Sequence, residues 1–285
     1  MNVVESVKMN HVREKLLNET IIVFKKQSTL SGDFTKFVSD IGEIGNYHQM
    51  VHNPVTEERI EPTKEFIHPD NWPDKETYPV QRVTGKIING ERTGIFGTGV
   101  LDWHANLNAP NRDDGVALQG IKDCEGTSTT WLNLAKAYDE MPKELLDRCK
   151  DVYCEYEYSP EVWAGGLPEA QLSYMRKNKT TYKMWLLQEN AAGKKGIYFY
   201  TNNKCKIITD DNKLYDDLYD FTFQKKYMYT HYYEIGDIVL SDQLISLHKR
   251  DQNDPSILSK RILHRITFKL SNYGKPSFIE EKNQI

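Results

Sequence analysis

Cysteine is scarce in this chain, and what little there is excludes several functions. Only four occur in 285 residues, Cys124, Cys149, Cys154 and Cys205, and no two are spaced as CxxC. A zinc knuckle and a dithiol redox motif are thereby excluded, and four free thiols suit a reducing compartment. No apolar run approaches the roughly 20 residues a bilayer-spanning helix needs, and residues 1–17 hold no apolar stretch of signal-peptide length. Neither sign of charge dominates: 37 basic and 41 acidic residues are spread along the chain for a net charge of -4. With no basic face, nucleic acid is not an expected partner. Internal repeats and low-complexity tracts are also missing. The expectation is a soluble cytoplasmic protein with no membrane partner.

What is present describes a globular fold. A chain that is 39% apolar and 11% aromatic can bury a core, and 17 tyrosines favour pleated, half-buried surfaces. One domain over residues 1–285 is expected, with 1–17 as an N-terminal helix or arm. Thr20–Phe24 reads as a buried strand, and Phe34, Phe37, Val38 and Ile41 recur at helical spacing. Residues 46–78, broken by Pro54, Pro62, Pro69 and Pro73, read as a long loop or insert. Strand character is expected over Val80–Ile88 and Gly115–Ile121, and a helix over Thr130–Met141, ended by Pro142. Residues 143–180 read as a partly helical insert. Lys183–Gln188 and Ile197–Tyr200 flank a turn at residues 191–196, and Asp216–Phe223 is a further helix. Glu234–Leu240 and the alternating Arg261–Leu270 close the chain as strands. Mostly β with flanking helices suits a double-sheet jelly roll.

Three segments carry chemistry. In Leu101-Asp102-Trp103-His104-Ala105-Asn106, His104 and Asn106 are one residue apart, so on a strand they point the same way. His248 ends the segment begun by Asp242, and Arg261 and Arg265 bracket the last strand. Two imidazoles and one oxygen donor on one face, with open positions, is how non-haem Fe(II) oxygenases bind cosubstrate and dioxygen.

In order and spacing these segments resemble the taurine dioxygenase-like family of Fe(II)/2-oxoglutarate-dependent oxygenases, over about residues 18 to 270. The resemblance rests on WHxN at 103–106, Asp-x5-His at 242–248 and R-x-x-H-R at 261–265. It implies a double-stranded β-helix (jelly-roll) core, with Fe(II) held by His104, Asn106 and His248. Arg261 matches the arginine that grips the far carboxylate of 2-oxoglutarate, for which a planar charged fork is suited. Thr129 matches a hydroxyl that supports the same carboxylate. Arg265, four residues on, matches a residue that holds an anionic substrate, with Asn108 in the loop beside it.

Asn106 departs from the pattern, since the family has a carboxylate there. A carboxamide is an uncharged and poorer donor to a hard cation. Three outcomes stay open: hydroxylation with weaker iron binding, halogenation with an external anion at the vacant position, or a non-catalytic 2-oxo-acid or metabolite-binding protein. The first implies a small polar, anionic or amino-acid-like substrate, dioxygen as co-substrate, and succinate and CO2 as products. The chain could form a homo-oligomer. Among the neighbours, Trp103 is expected to pack beside the iron, His264 and Asp242 to be structural, and Asp113 and Asp114 to reach the metal only by chain reversal.

Overall fold

The computed structural model describes residues 6–44, 80–88, 91–92, 96–105, 113–158, 173, 180–199, 205–251 and 253–270. The strands begin with β1 (Ile21–Phe24), β2 (Glu43–Ile44), β3 (Gln81–Val83), β4 (Ile87–Ile88), β5 (Glu91–Arg92) and β6 (Leu101–His104). β7 (Gly115–Lys122), β8 (Ser128–Asn133), β9 (Tyr153–Tyr158), β10 (Thr180–Trp185), β11 (Leu187–Glu189), β12 (Lys195–Ile197) and β13 (Cys205–Ile208) follow. The last are β14 (Met228–Tyr232), β15 (Ile238–Asp242), β16 (Ser246–Arg250) and β17 (Ile262–Lys269). The helices are α1 (Ser6–Glu19), α2 (Ser31–Ser39), α3 (Leu134–Asp139), α4 (Lys143–Arg148), α5 (Leu214–Thr222) and α6 (Pro255–Leu258).

Two antiparallel sheets make the core. The larger runs β1-β15-β7-β17-β2, with β3 also on β17, and the smaller runs β14-β8-β16-β6. Period-two alternation then sorts the side chains into three apolar layers. Val116, Leu118, Val239 and Leu263 meet Trp131 between the sheets. Ala117, Leu240, Ile266 and Phe268 face the other way and bury Leu16, Phe34 and Val38 of α1 and α2. Leu132 and Leu247, on the outer side of the smaller sheet, pack under a third sheet (β10-β9-β13) with Met184, Phe199 and Leu218. The result is the β-rich jelly roll with flanking helices that the sequence implies.

Several local expectations shift. Thr130–Met141 is not one helix: its first residues belong to β8, where β-branched threonines and Trp131 pair with β14 and β16. The helix begins only after Asn133, whose side chain accepts from the Lys136 amide at 2.8 Å. Val80–Ile88 is interrupted at residues 84–86, giving β3 and β4. Of the partly helical stretch 143–180, the described portion holds the short α4 and then β9, a tyrosine-rich strand. The expected loop over 46–78 lies outside the described residues. Among the described residues, no helix is long and apolar enough to cross a membrane.

Candidate active site

The last residue of β6 and the third of β16 are direct cross-strand partners, and they are His104 and His248. Their rings lie with centroids 4.2 Å apart and tilted by 49°, at the rim of the space between the sheets. The Nδ1 of His104 sits 2.6 Å from the Asp102 carbonyl oxygen. A carbonyl only accepts, so Nδ1 carries the proton and Nε2 presents its lone pair, the arrangement of a histidine prepared for a metal. Burial pushes the His104 pKa down to about 4 and that of His248 well below the usual range, with Arg265 adding to both shifts. Both rings are therefore neutral at pH 7, as ligation requires.

Deeper in the same cavity lies Arg261, just before β17 and 1% exposed. Its Nε and Nη2 find no hydrogen-bond partner. Burial lowers its pKa only to about 10, so it stays cationic at pH 7. An unmatched buried guanidinium is costly unless an anion completes it, which fits the far carboxylate of a dicarboxylic cosubstrate. Thr129 lines the cavity and accepts a hydrogen bond from the Tyr233 hydroxyl at 3.2 Å, so its own hydrogen is left to turn inward.

Arg265 shares the strand face of Arg261 and lines the cavity too. It donates to Gln81 Oε1, and its guanidinium lies 5.8 Å from the Phe96 ring. The remaining wall is apolar, with Val83, Leu101, Val116, Leu118 and Leu263. His104, His248, Arg261, Arg265 and Thr129 thus converge, although they come from four strands and the approach to β17. Asn106 and Asn108 lie outside the described residues. Among the described residues, no group of three His, Cys, Asp or Glu side chains is placed to hold a metal, so two imidazoles are the described share of the set.

Residues 2–267 match the family described as Taurine catabolism dioxygenase TauD, TfdA family. The chain belongs to that family. Membership makes it an oxidoreductase of the Fe(II)/2-oxoglutarate-dependent oxygenase class. It is similar to pentalenolactone F synthase of Streptomyces avermitilis, 23% identical over 66% of this chain and 67% of the relative. It also resembles an alpha-ketoglutarate-dependent 2,4-dichlorophenoxyacetate dioxygenase of a Burkholderia species, 20% identical over 65% of this chain and 64% of that one. Among solved structures, AAD-2 in complex with Mn(II) and N-oxalylglycine superposes with a TM-score of 0.69 at 16% identity, covering 99% of this chain and 92% of that chain. A taurine dioxygenase from Burkholderia xenovorans gives 0.65 at 16% identity, over 99% and 89%.

One expectation changes at this site. Trp103 does not pack beside the metal position: it occupies the opposite face of β6 from His104, edge-on to Phe223 at 5.7 Å. Trp131 takes that place, stacked on His248 at 6.4 Å and 29°. Asp113 and Asp114 are engaged elsewhere, accepting from the Thr267 hydroxyl and the Leu270 amide at 2.6 and 2.7 Å. Sequence reasoning also missed Arg250, two residues after His248 and in the same cavity. It donates to the carbonyls of Phe96, Gly97 and Gly99 and so pins that loop over the site. Residues two apart on a strand share a face, so the His-x-Arg spacing was its available signal.

Proposed function

We propose that this dioxygenase hydroxylates a small anionic molecule while 2-oxoglutarate is split to succinate and CO2. The observation that carries the proposal is the buried Arg261, unmatched at Nε and Nη2, in one cavity with two neutral histidines. In this reading His104, His248 and Asn106 hold Fe(II), and Arg261 with Thr129 grips the far carboxylate of 2-oxoglutarate. Iron supplies the activation of dioxygen and the oxidation of the substrate. The protein's part is to orient and to keep water out. Arg265, steadied by Gln81 and Phe96, meets the substrate's negative group from the same strand face, with Asn108 beside it. The apolar wall of Val83, Leu101 and Leu118 suits a carbon skeleton more than an amino group. The relative named for 2,4-dichlorophenoxyacetate acts on a carboxylate of that general kind.

Succinate release from 2-oxoglutarate, dependent on Fe(II) and oxygen, tests the proposal. Arg261→Ala is expected to raise KM for 2-oxoglutarate by about tenfold to a hundredfold, the worth of a charge-assisted pair of 1.5–3 kcal/mol. An unchanged KM would remove Arg261 from its assigned role. The carboxamide at 106 favours one second reading, a binder of 2-oxo acids with a weak metal site. Absence of succinate across carboxylate substrates, with turnover gained in Asn106→Asp, selects that reading. A chlorinated product formed only with chloride selects halogenation.

A further inference from the structure

Across the smaller sheet the cross-strand register sets four aromatic residues in one lateral row. His104 on β6 is opposite His248 on β16, His248 is opposite Trp131 on β8, and Trp131 is opposite Tyr229 on β14. Directly opposed residues of an antiparallel sheet point to the same face, so the rings run side by side from the metal position to the sheet edge. Trp131 is 1% exposed and sits 6.4 Å from both His248 and Tyr229, tilted by 29° and 31°. Tyr229, at the outer end, is 42% exposed.

The outer end has a built-in proton acceptor. The Tyr229 hydroxyl lies 3.1 Å from His231 Nδ1, and His231 Nε2 lies 3.1 Å from Asp237 Oδ2. Asp237 is fully buried and also accepts from Lys25 Nζ at 2.6 Å and from the Lys26 and Glu234 amides. A carboxylate so engaged accepts only, so His231 carries its hydrogen on Nε2 and turns the Nδ1 lone pair to the phenol. A phenol sheds its proton when it loses an electron, and here a neutral imidazole waits at hydrogen-bond distance.

We propose that Trp131 and Tyr229 form a one-electron relay between the metal position and the protein surface, with His231 taking the phenolic proton. The proposal rests on the Fe(II)/2-oxoglutarate reading for its oxidant, the strong oxidant left at iron when dioxygen is activated without substrate. Trp131 yields one electron toward the site. Tyr229 restores it by giving one electron to the indole and one proton to His231 Nδ1, which leaves a neutral phenoxyl radical at the surface. A thiolate from solution then supplies one electron, the proton returns from His231 to the phenol oxygen, and a thiyl radical leaves. The relay spares the buried indole and the two ligand histidines from oxygenation.

Two arms test this. In the metal-free protein, an ultraviolet laser flash photoionises tryptophans whether buried or exposed. The relay predicts growth of phenoxyl absorbance as indolyl absorbance decays, at a rate independent of protein concentration, and lost in both Tyr229→Phe and Trp131→Phe. Identical kinetics in all three proteins overturn it. In the iron- and 2-oxoglutarate-loaded enzyme exposed to oxygen without substrate, freeze-quench EPR is expected to show a phenoxyl signal that Tyr229→Phe abolishes. Peptide mass spectrometry should then find oxygenated Trp131 increased severalfold in that variant, and an equal yield in both proteins overturns the relay. Tyr229→Phe keeps the ring and removes only the hydroxyl, so loss of stacking does not explain the result. Succinate from the same samples reports on the metal-site reading alone, because the metal-free arm decides the relay without it.

Discussion

At the scale of single residues, the least expected protonation belongs to Asp242. Burial, and next the neighbouring Asp114 carboxylate, push its pKa up to about 7. Hydrogen bonds from Asn190 Nδ2 at 2.9 Å and the Leu244 amide at 3.0 Å offset part of that. An unfolded aspartic acid titrates near ~3.9, so between about pH 4 and 7 the folded state binds more protons than the unfolded one. Stability contributed here is present below the unfolded value and is lost as pH rises through the folded one. Denaturant midpoints measured across that range are expected to fall with pH, and Asp242→Asn to flatten the slope; an unchanged slope would place the titration elsewhere. The sequence suggested a structural role for Asp242 but gave no hint of its pKa, because Asp114 lies far away along the chain and meets it only through the pairing of β7 with β15. Arg261 shows the opposite case. Its place in one cavity with His104 and His248 was readable from its spacing to His248 and from the R-x-x-H-R pattern.

Among elements, the loop over Phe96–Val100 depends on one side chain. Phe96 has φ 58°, a left-handed backbone that bulky residues rarely adopt, and Arg250 reaches three carbonyls of this loop. Arg250→Ala is expected to speed amide exchange in the loop and to weaken substrate binding more than the catalytic step; hydrogen exchange and a comparison of KM with kcat check this. Equal protection in variant and parent would count against the pinning. A second element-level case is the turn into β15. Gly236 has φ 86°, and a Cβ there would meet the Gln27 carbonyl oxygen at 2.5 Å. Gly236→Ala should cost about 1–3 kcal/mol, read as a lower thermal midpoint. β17, with its alternation of Ile262, His264, Ile266 and Phe268, and β7, a short apolar run before the turn at Glu125-Gly126, were legible. β8 was not, because Leu132, Ala135 and Tyr138 mimic a helical stripe that starts inside it. The same kind of ambiguity hid Trp131 behind Trp103: a period of two puts Trp103 opposite His104, yet the WHxN pattern draws attention to the wrong indole.

For the molecule as a whole, one apolar layer fills the space between the two sheets around the cavity, and the other two cover their outer faces. Leu247 is fully buried between His248 and the third sheet. Leu247→Ala should cost about 2–5 kcal/mol and also loosen His248, so metal affinity and stability are expected to fall together; calorimetry with and without Fe(II) would separate them. The family's motif order made the jelly roll readable from the chain, whereas the third sheet was readable only in part: Lys183–Gln188 covers the end of β10, but the alternating β9 falls inside the stretch 143–180 that reads as a partly helical insert. The pairing of β6 with β16 has one more consequence, for a chain still being made. His248 and Arg261 emerge from the ribosome long after His104, and until β16 and β17 arrive, β8 and β7 each lack a neighbour. In the proposed site, metal loading therefore follows completion of the two sheets, and a chain halted before Ser246 would present bare strand edges to its neighbours, a template for aggregation.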